Sequence, residues 1–274
     1  MDVAFLLDKY FKGAPKVSID VFDAQTLDTV YKDVVSAMTS HFEIEVSVLQ
    51  ALSYCLYEMM DNVHIHSGKP LGTAMTHYDE AHKTLSILIA DDGIGIQASL
   101  SENEAYKNIT EAEALKMCLE DKITDGKGLG FGLYTISRLV DNIGEEFILH
   151  SGMHKLIRKD GNESVIENGF WQGTLIYMVI GTGVEIDPNQ IVDHRTLSCF
   201  TTAEKAESFF TNLRKAFKNV SNSIGDSLSE GHLANEDGRK TSTATNGHFD
   251  FYEYESCDLN RTFIITKNLV EEKK

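Results

Sequence analysis

The sequence lacks any dense run of lysine and arginine residues. Its 274 residues include 25 Lys and Arg against 42 Asp and Glu, which gives a formal net charge of −17 with histidine neutral. Nucleic-acid backbones and anionic lipid surfaces are themselves negative, so binding to either would require a local basic patch. We therefore expect neither nucleic acid nor a membrane to be a partner.

Paired cysteines and long apolar runs are also missing. No C-x-x-C pair or metal-ligand spacing occurs among Cys55, Cys118, Cys199 and Cys257, which predicts free, mostly buried thiols in a reducing compartment. No apolar stretch approaches the roughly 20 residues that cross a bilayer. The N-terminal residues 1–8 are too acidic, and their apolar run is too short, for a signal peptide. The sequence thus predicts a soluble, cytoplasmic protein.

Hydrophobic patterning divides the chain into a core, residues 1–183, and a C-terminal extension, residues 184–274. The core has predicted strands at 16–22, 84–90, 146–151, 155–158, 164–166 and 174–180, and predicted helices at 26–40, 45–65, near 111–120 and at 130–142. The extension has a predicted helix at 202–218, a flexible polar segment at 219–247 and a hairpin-like segment at 248–270.

Glu58 and Asn62 form the first candidate site motif, on the predicted helix 45–65. Residues four apart share a helix face, so the two side chains project together. A carboxylate and a carboxamide on one ridge can position a water molecule and hold Mg²⁺, a hard cation that prefers oxygen ligands. Surface helices carry this spacing so often that the pair alone does not distinguish a site from a solvated face.

The second motif, Asp91-Asp92-Gly93-Ile94-Gly95, directly follows the predicted strand 84–90. A carboxylate at a strand end can accept a hydrogen bond from the exocyclic amine of a purine, and the glycines allow the backbone to approach a flat ring. The spacing does not match a calcium-binding loop. A plain turn remains an alternative for this motif alone.

The third motif is a run of alternating glycines, Gly126-Lys127-Gly128-Leu129-Gly130-Phe131-Gly132, which leads into the predicted helix 130–142. Inward-pointing amides and a helix N-terminus favour bound phosphate groups. A Walker loop is excluded because no Gly-Lys-Ser/Thr ending follows. A Rossmann fingerprint is excluded because a polar segment, rather than a buried strand, precedes the glycines.

In this order, and with Gly173-Thr174 on a late strand, the motifs resemble those of the histidine-kinase and Hsp90-like ATPase superfamily over about residues 16–182. The resemblance implies the Bergerat fold, an α+β, two-layer α/β sandwich. Its sheet would be mixed but mostly antiparallel, with the helices on one face. ATP and Mg²⁺ are the ligands that this resemblance implies.

The resemblance also implies roles for individual residues. Asn62 would help to bind Mg²⁺, and Asp91 would bind adenine with support from Thr174 through water. The floor of the base pocket would consist of Gly93, Ile94 and Gly95. The phosphate side would consist of Gly126, Lys127, Gly128, Leu129, Gly130, Phe131 and Gly132, and residues 96–125 would form a mobile lid. We expect Glu58 to act as the general base.

The branch of the superfamily is indicated by His66, which follows Asn62 by four residues. The pattern Glu-x-x-x-Asn-x-x-x-His resembles serine kinases that act as anti-sigma factors, whereas Ile65 stands where histidine kinases usually carry lysine. An ordinary histidine at a helix end is the alternative for His66. His41 lacks the neighbours of a phospho-accepting histidine box, which argues against a self-phosphorylating sensor kinase.

Three functions remain open at this point. The favoured one is a regulatory ATP-dependent kinase that phosphorylates a serine of a partner protein, for which a STAS-like protein is expected. The second is a clamp-type ATPase that closes its lid and forms a homodimer. The third is a non-catalytic protein that senses ATP by binding it.

Overall fold

The computed structural model describes residues 2–69, 71–127, 130, 132–192 and four strands between residues 229 and 267. The chain divides into two units. The first comprises Met1–Val34 and Phe42–Ile186, and the second comprises Val35–His41 and Asp187–Lys274. Among the described residues, no helix is both long and apolar enough to cross a membrane.

The described chain contains seven α-helices, a short 3₁₀ helix at Glu104–Tyr106, and nine strands. The helices are α1 (Val3–Tyr10), α2 (Leu27–His41), α3 (Val46–His66), α4 (Ile96–Leu100), α5 (Glu111–Met117), α6 (Gly132–Ile143) and α7 (Pro188–Ile191). The first five strands are β1 (Ser18–Phe22), β2 (Gly72–Asp79), β3 (Thr84–Asp91), β4 (Gly144–Lys159) and β5 (Asn162–Gly181).

The sheet of the first unit has the strand order β1-β2-β3-β5-β4, and every pairing in it is antiparallel. The α+β class predicted from the sequence is therefore confirmed, whereas the prediction of a mixed sheet needs a correction because this sheet is entirely antiparallel. Strand β3 is central and buried along almost its whole length. Its last residue, Asp91, consequently lies in the middle of the sheet rather than at its edge.

Both faces of this sheet are covered. Side chains alternate along each strand, and Met75, Leu88 and Tyr177 on one face pack in a cluster with Leu6 and Phe11 from the α1 segment. The opposite face carries the alternate residues of the strands and is contacted by α3 and α6.

The prediction that helices lie on one face needs a correction, because α1 covers the other face. Asp2 caps α1 by accepting a hydrogen bond from the Phe5 backbone N–H at 3.1 Å. Leu6 is fully buried, which stabilises the docked helix by roughly 2 kcal/mol. Helix α1 was not predicted from the sequence, since eight residues provide only about two helical turns of pattern.

The second unit contains an antiparallel sheet with the order β6-β7-β8-β9. Its strands are β6 (Ser229–Ala234), β7 (Lys240–Thr245), β8 (Phe249–Ser256) and β9 (Arg261–Lys267). Strands β8 and β9 form the hairpin predicted for 248–270.

Strands β6 and β7 lie within the segment 219–247, for which the sequence predicted no regular structure; the flexibility of the segment stays a prediction. Strand β7 is rich in threonine, a β-branched residue that favours strands, and it pairs with β8 as well as with β6. The helix predicted at 202–218 lies outside the described residues.

Cys55 and Cys118 are buried free thiols, as the sequence predicted. Burial raises the pKa of both thiols, so both side chains are neutral packing residues at ordinary pH. Cys199 and Cys257 lie outside the described residues.

Candidate functional site

Helix α3 carries a partly exposed ridge beside a buried side. Cys55, Met59 and Val63 are buried in the core. Glu58 and Asn62 are only partly buried, as is His66, the last residue of the helix. Their four-residue spacing places all three on one side of the helix. The ridge is thus available to contact the segments that follow β3.

The N-terminus of α6 lies against this ridge. A Cβ atom added to Gly132 would stand 2.6 Å from Oε2 of Glu58 and 3.4 Å from Nδ2 of Asn62. A side chain at position 132 would therefore displace the Glu58 carboxylate. The backbone N–H groups of a first helical turn have no partner within the helix, and they carry partial positive charge. Glu58 and Asn62 consequently lie where an anionic phosphate chain could be held.

Asp91 is the buried end of β3, with a relative exposure of 4%. Its Oδ1 atom accepts a hydrogen bond from the Gly93 backbone N–H at 2.7 Å. Burial raises the pKa of Asp91 to about 6, and the charge of Asp92 adds to this rise. Hydrogen bonds from the backbone of Gly93 and Thr174 oppose the rise in pKa. A carboxylate held in this way retains lone pairs for a further donor.

The Thr174 backbone lies close enough to Asp91 to lower the pKa of its carboxyl. The sequence predicts support of Asp91 by Thr174 through a water molecule. The water-mediated role of Thr174 stays a prediction.

Gly173 is the residue that allows β5 to approach Asp91 so closely. Its φ is +89°, and an added Cβ would lie 2.5 Å from both the carbonyl oxygen and Oδ1 of Asp91. Only glycine meets both conditions without strain. The Gly173 carbonyl in turn accepts a hydrogen bond from Ser151 Oγ at 2.8 Å, and Ser151 Oγ accepts one from the Ile96 N–H at 3.0 Å. The Asp91–Gly95 turn is therefore fixed against β4 and β5.

The same turn is joined to the end of α3. The Ile94 backbone N–H donates to the Ser67 carbonyl at 2.8 Å, and the Gln172 side-chain amide donates to the Gly93 carbonyl. Since Ser67 follows directly after His66, the ridge of α3 and the buried Asp91 belong to one continuous site. Motifs from four separate parts of the sequence converge there.

Asp125, which the sequence analysis did not single out, lies at the centre of a cluster beside the ridge. Its Oδ2 atom is 2.6 Å from His66 Nδ1 and accepts a hydrogen bond from Ser99 Oγ at 2.7 Å. Its Oδ1 atom accepts a bond from the Lys127 backbone N–H at 2.9 Å. Burial would raise the pKa of Asp125, but these hydrogen bonds together hold that pKa below its usual value.

Lys127 is held by carboxylates, and its predicted place on the phosphate side stays a prediction. Its Nζ is 2.7 Å from Glu102 Oε2 and 3.7 Å from Asp125 Oδ2. A triphosphate would compete with these carboxylates for the ammonium group. Gly126 and Gly130 both have positive φ, at +97° and +74°.

The middle of the glycine run, comprising Gly128, Leu129 and Phe131, lies outside the described residues.

The predicted lid, residues 96–125, contains α4, the 3₁₀ helix and α5. Thr110 and Glu113 form a reciprocal capping box at the start of α5. Glu111 on α5 bonds to the Met153 N–H at 2.9 Å and to His154 at 2.8 Å, which fixes α5 to β4. The mobility of this segment stays a prediction.

An open pocket lies beside the Asp91–Gly95 turn. Its walls include Ile94, Gly95, Gln97, Glu111, Phe170 and Gly173. Gly173 thus has Asp91 on one side and this pocket on the other. Neither Asp91 nor Asn62 lines the pocket, so it adjoins the proposed adenine position rather than forming it.

The described residues contain no group of three or more His, Cys, Asp or Glu side chains that could hold a metal ion. Mg²⁺ keeps several waters and is commonly bound by one or two carboxylates together with substrate phosphates. Beside the α6 N-terminus, Glu58 offers a carboxylate and Asn62 a carboxamide oxygen.

Comparison of this chain with models of protein families gave no match, and comparison with curated proteins gave none either. The resemblance to the histidine-kinase and Hsp90-like ATPases therefore rests on the motifs and on their convergence in the fold.

Proposed function

We propose that this chain has the Bergerat fold, binds Mg-ATP and transfers the γ-phosphoryl group to a serine of a partner protein. One observation carries the proposal: the Glu58–Asn62 ridge faces the N-terminus of α6 while its end is tied to the Asp91 turn. The Asp91 carboxylate, which would bind the base, and the α6 N-terminus, which would bind the phosphates, are thereby connected through α3. This connection supports the binding of one ligand by both.

Asp91 would accept a hydrogen bond from the exocyclic amine of adenine, and the turn glycines would lie beneath the ring. Asn62 would hold Mg²⁺, which supplies charge neutralisation for the phosphates when bound. The α6 N-terminus and Lys127 would bind the phosphate chain, since both offer positive charge to an anion.

Glu58 is the general base in this proposal. Its carboxylate would take the proton of the serine hydroxyl as the serine oxygen bonds to the γ-phosphorus. The bond between the γ-phosphorus and the bridging oxygen breaks, and ADP leaves. The serine then carries the phosphoryl group, and the transferred proton remains on Glu58 until solvent removes it.

The test is incubation of the full chain with γ-labelled ATP and Mg²⁺, with and without a protein encoded beside it. Label on a serine of that protein supports the proposal. Free phosphate without protein label favours the clamp-type ATPase, and intact bound ATP favours the sensing protein. A chain that does not bind ATP in the presence of Mg²⁺ refutes all three.

A further inference from the structure

A second polar cluster lies on the opposite face of the sheet, beside α1. His150 and Lys155, both on β4, have relative exposures of 3% and 6%. Lys9 of α1 is close enough to act electrostatically on both side chains. In a chain with a net charge of −17, this grouping of basic side chains is not explained by the proposed nucleotide site.

An irregularity in β4 brings His150 and Lys155 to the same face. They are five positions apart, so a regular strand would direct them to opposite faces. The pairing of β4 with β5 has register shifts between Ser151 and Gly152 and between Gly152 and His154. Such bulges re-aim the side chains that follow them. Ile157, two residues after Lys155, accordingly packs against the α1-face cluster.

The Lys155 ammonium lacks a compensating anion. Burial, followed by the charge of Lys9, lowers the pKa of Lys155 to about 8, although Glu146 opposes the change. Glu146 itself pairs with Lys159 at 3.3 Å. Within the described residues, no carboxylate oxygen lies within 4.0 Å of the Lys155 amine. An ammonium group on a buried side chain without a carboxylate partner is costly, so an anion bound there would stabilise it.

His150 supplies an acceptor to the same cluster. Its Nε2 lies 2.9 Å from the Gly169 carbonyl, which can only accept, so the proton is on Nε2. Burial, with the charges of Lys155 and Lys9, lowers the pKa of His150 to about 4, and the ring is neutral. Its Nδ1 is buried and has no hydrogen-bond partner of normal geometry among the described residues, although the Gly152 backbone lies close enough to raise the pKa of the ring slightly.

Aromatic residues complete the cluster. The Trp171 ring lies 6.1 Å from the His150 ring. The indole N–H of Trp171 and the hydroxyl of Tyr10 are also buried, and neither has a hydrogen-bond partner in the described structure. The cluster therefore offers two ammonium groups, an indole N–H, a phenol and one bare imidazole nitrogen.

We propose that this cluster is a binding site for hydrogen phosphate, separate from the nucleotide site. The dianion balances the two ammonium groups, and its oxygens accept from Lys155, Lys9 and Trp171. Its single O–H donates to Nδ1 of His150. A carboxylate has half the charge and no proton to donate, so it would leave Nδ1 unsatisfied at a cost.

Trp171 provides the readout, because it is the only tryptophan in the chain. The full chain is titrated with sodium phosphate at pH 7.5 and constant ionic strength, and the single indole N–H signal is followed by NMR. We expect a saturable shift of this signal. We expect Lys155→Met to weaken phosphate binding by about tenfold to a hundredfold, the effect of losing one charge-assisted hydrogen bond.

Lys159→Met is the matched control, since Lys159 lies on the same strand and pairs with Glu146; it should leave phosphate binding unchanged. Lys9→Met is the second variant, used if Lys155→Met does not fold. Because Lys9 is exposed on α1, its replacement should weaken phosphate binding and leave the fold intact. The proposal is overturned if no saturable shift occurs. It is also overturned if acetate binds as tightly as phosphate, or if phosphate binding persists in both Lys155→Met and Lys9→Met.

Discussion

Replacing Asp91 with asparagine should stabilise the protein while weakening ATP binding. The pKa of this buried carboxyl rises from its ordinary value of 3.8 to about 6 in the fold. An acid whose pKa is higher in the folded chain than in the unfolded chain destabilises the fold at pH values above the folded pKa. The penalty disappears as the pH falls through the interval from about 6 to below 3.8.

The magnitude follows from the shift. One pKa unit corresponds to about 1.4 kcal/mol, so ionised Asp91 costs about 3 kcal/mol of unfolding free energy at pH 7.5. Asparagine removes the charge but cannot accept equally well from both Gly93 and Thr174, which costs about 1 kcal/mol. The expected net gain for Asp91→Asn is therefore about 2 kcal/mol at pH 7.5. At pH 4.0 the penalty on the parent protein is below about 1 kcal/mol, so the gain should vanish.

Urea unfolding followed by far-UV circular dichroism at the two pH values measures this difference. Asp92→Asn is the matched control, because Asp92 is the adjacent, exposed carboxylate; it should change the unfolding free energy by less than about 0.5 kcal/mol. Destabilisation of Asp91→Asn at pH 7.5, with Asp92→Asn neutral, would refute the burial argument. A gain that is the same at both pH values would refute the assignment of the gain to the carboxylate charge.

Three further outcomes are expected. Gly173→Ala should lower the unfolding free energy by about 2 kcal/mol or more, because the φ of Gly173 is positive and the new Cβ would clash with Asp91. Urea unfolding measures this loss. Gly169→Ala is the control, since an added Cβ at Gly169 would meet open space. Asp125→Asn should cost about 1 to 2 kcal/mol at pH 7.5. Because the pKa of Asp125 is lowered in the fold, that cost should be present above pH 3.8 and be lost as the pH falls through the folded pKa. A cost that grows with acid would contradict this sign. Glu58→Gln should abolish transfer of label from ATP while leaving ATP affinity within about twofold. Asp61→Asn on the same helix is the control and should retain transfer. Equal losses of transfer in both variants would refute the role of Glu58 as the base.

Strongly periodic elements could be predicted from the sequence. Helix α3 was identifiable because its apolar residues recur at three- and four-residue steps, and its buried side is made of those residues. Strand β3 was identifiable as an apolar run that ends at Asp91. The place of Asn62 on the helix and of Asp91 at the strand end could therefore be predicted too, since local secondary structure sets both positions.

Strand β2 was missed because its sequence, Gly72–Asp79, has no marked alternation of apolar and polar residues. It is a strand because β1 and β3 supply hydrogen-bond partners on both of its sides. Local sequence does not contain that information.

The two polar clusters were missed for a similar reason. Asp125 contacts His66, which lies 59 positions earlier in the sequence. In the sequence itself, Asp125 is distinguished only by its position directly before the glycine run. Lys155 reaches the face of His150 through a bulge that alternation cannot predict. Contacts of this kind depend on the tertiary fold, whereas Glu58 and Asn62 needed only the period of a helix.

The most direct measurement is calorimetric titration of the full chain with ATP, with and without Mg²⁺. The account predicts saturable binding of one ATP per chain, stronger with Mg²⁺ and weakened at least about tenfold by Asp91→Asn, the loss of one hydrogen bond to a charged group. Absence of ATP binding in the presence of Mg²⁺, or equal affinity in the parent and in Asp91→Asn, would contradict it.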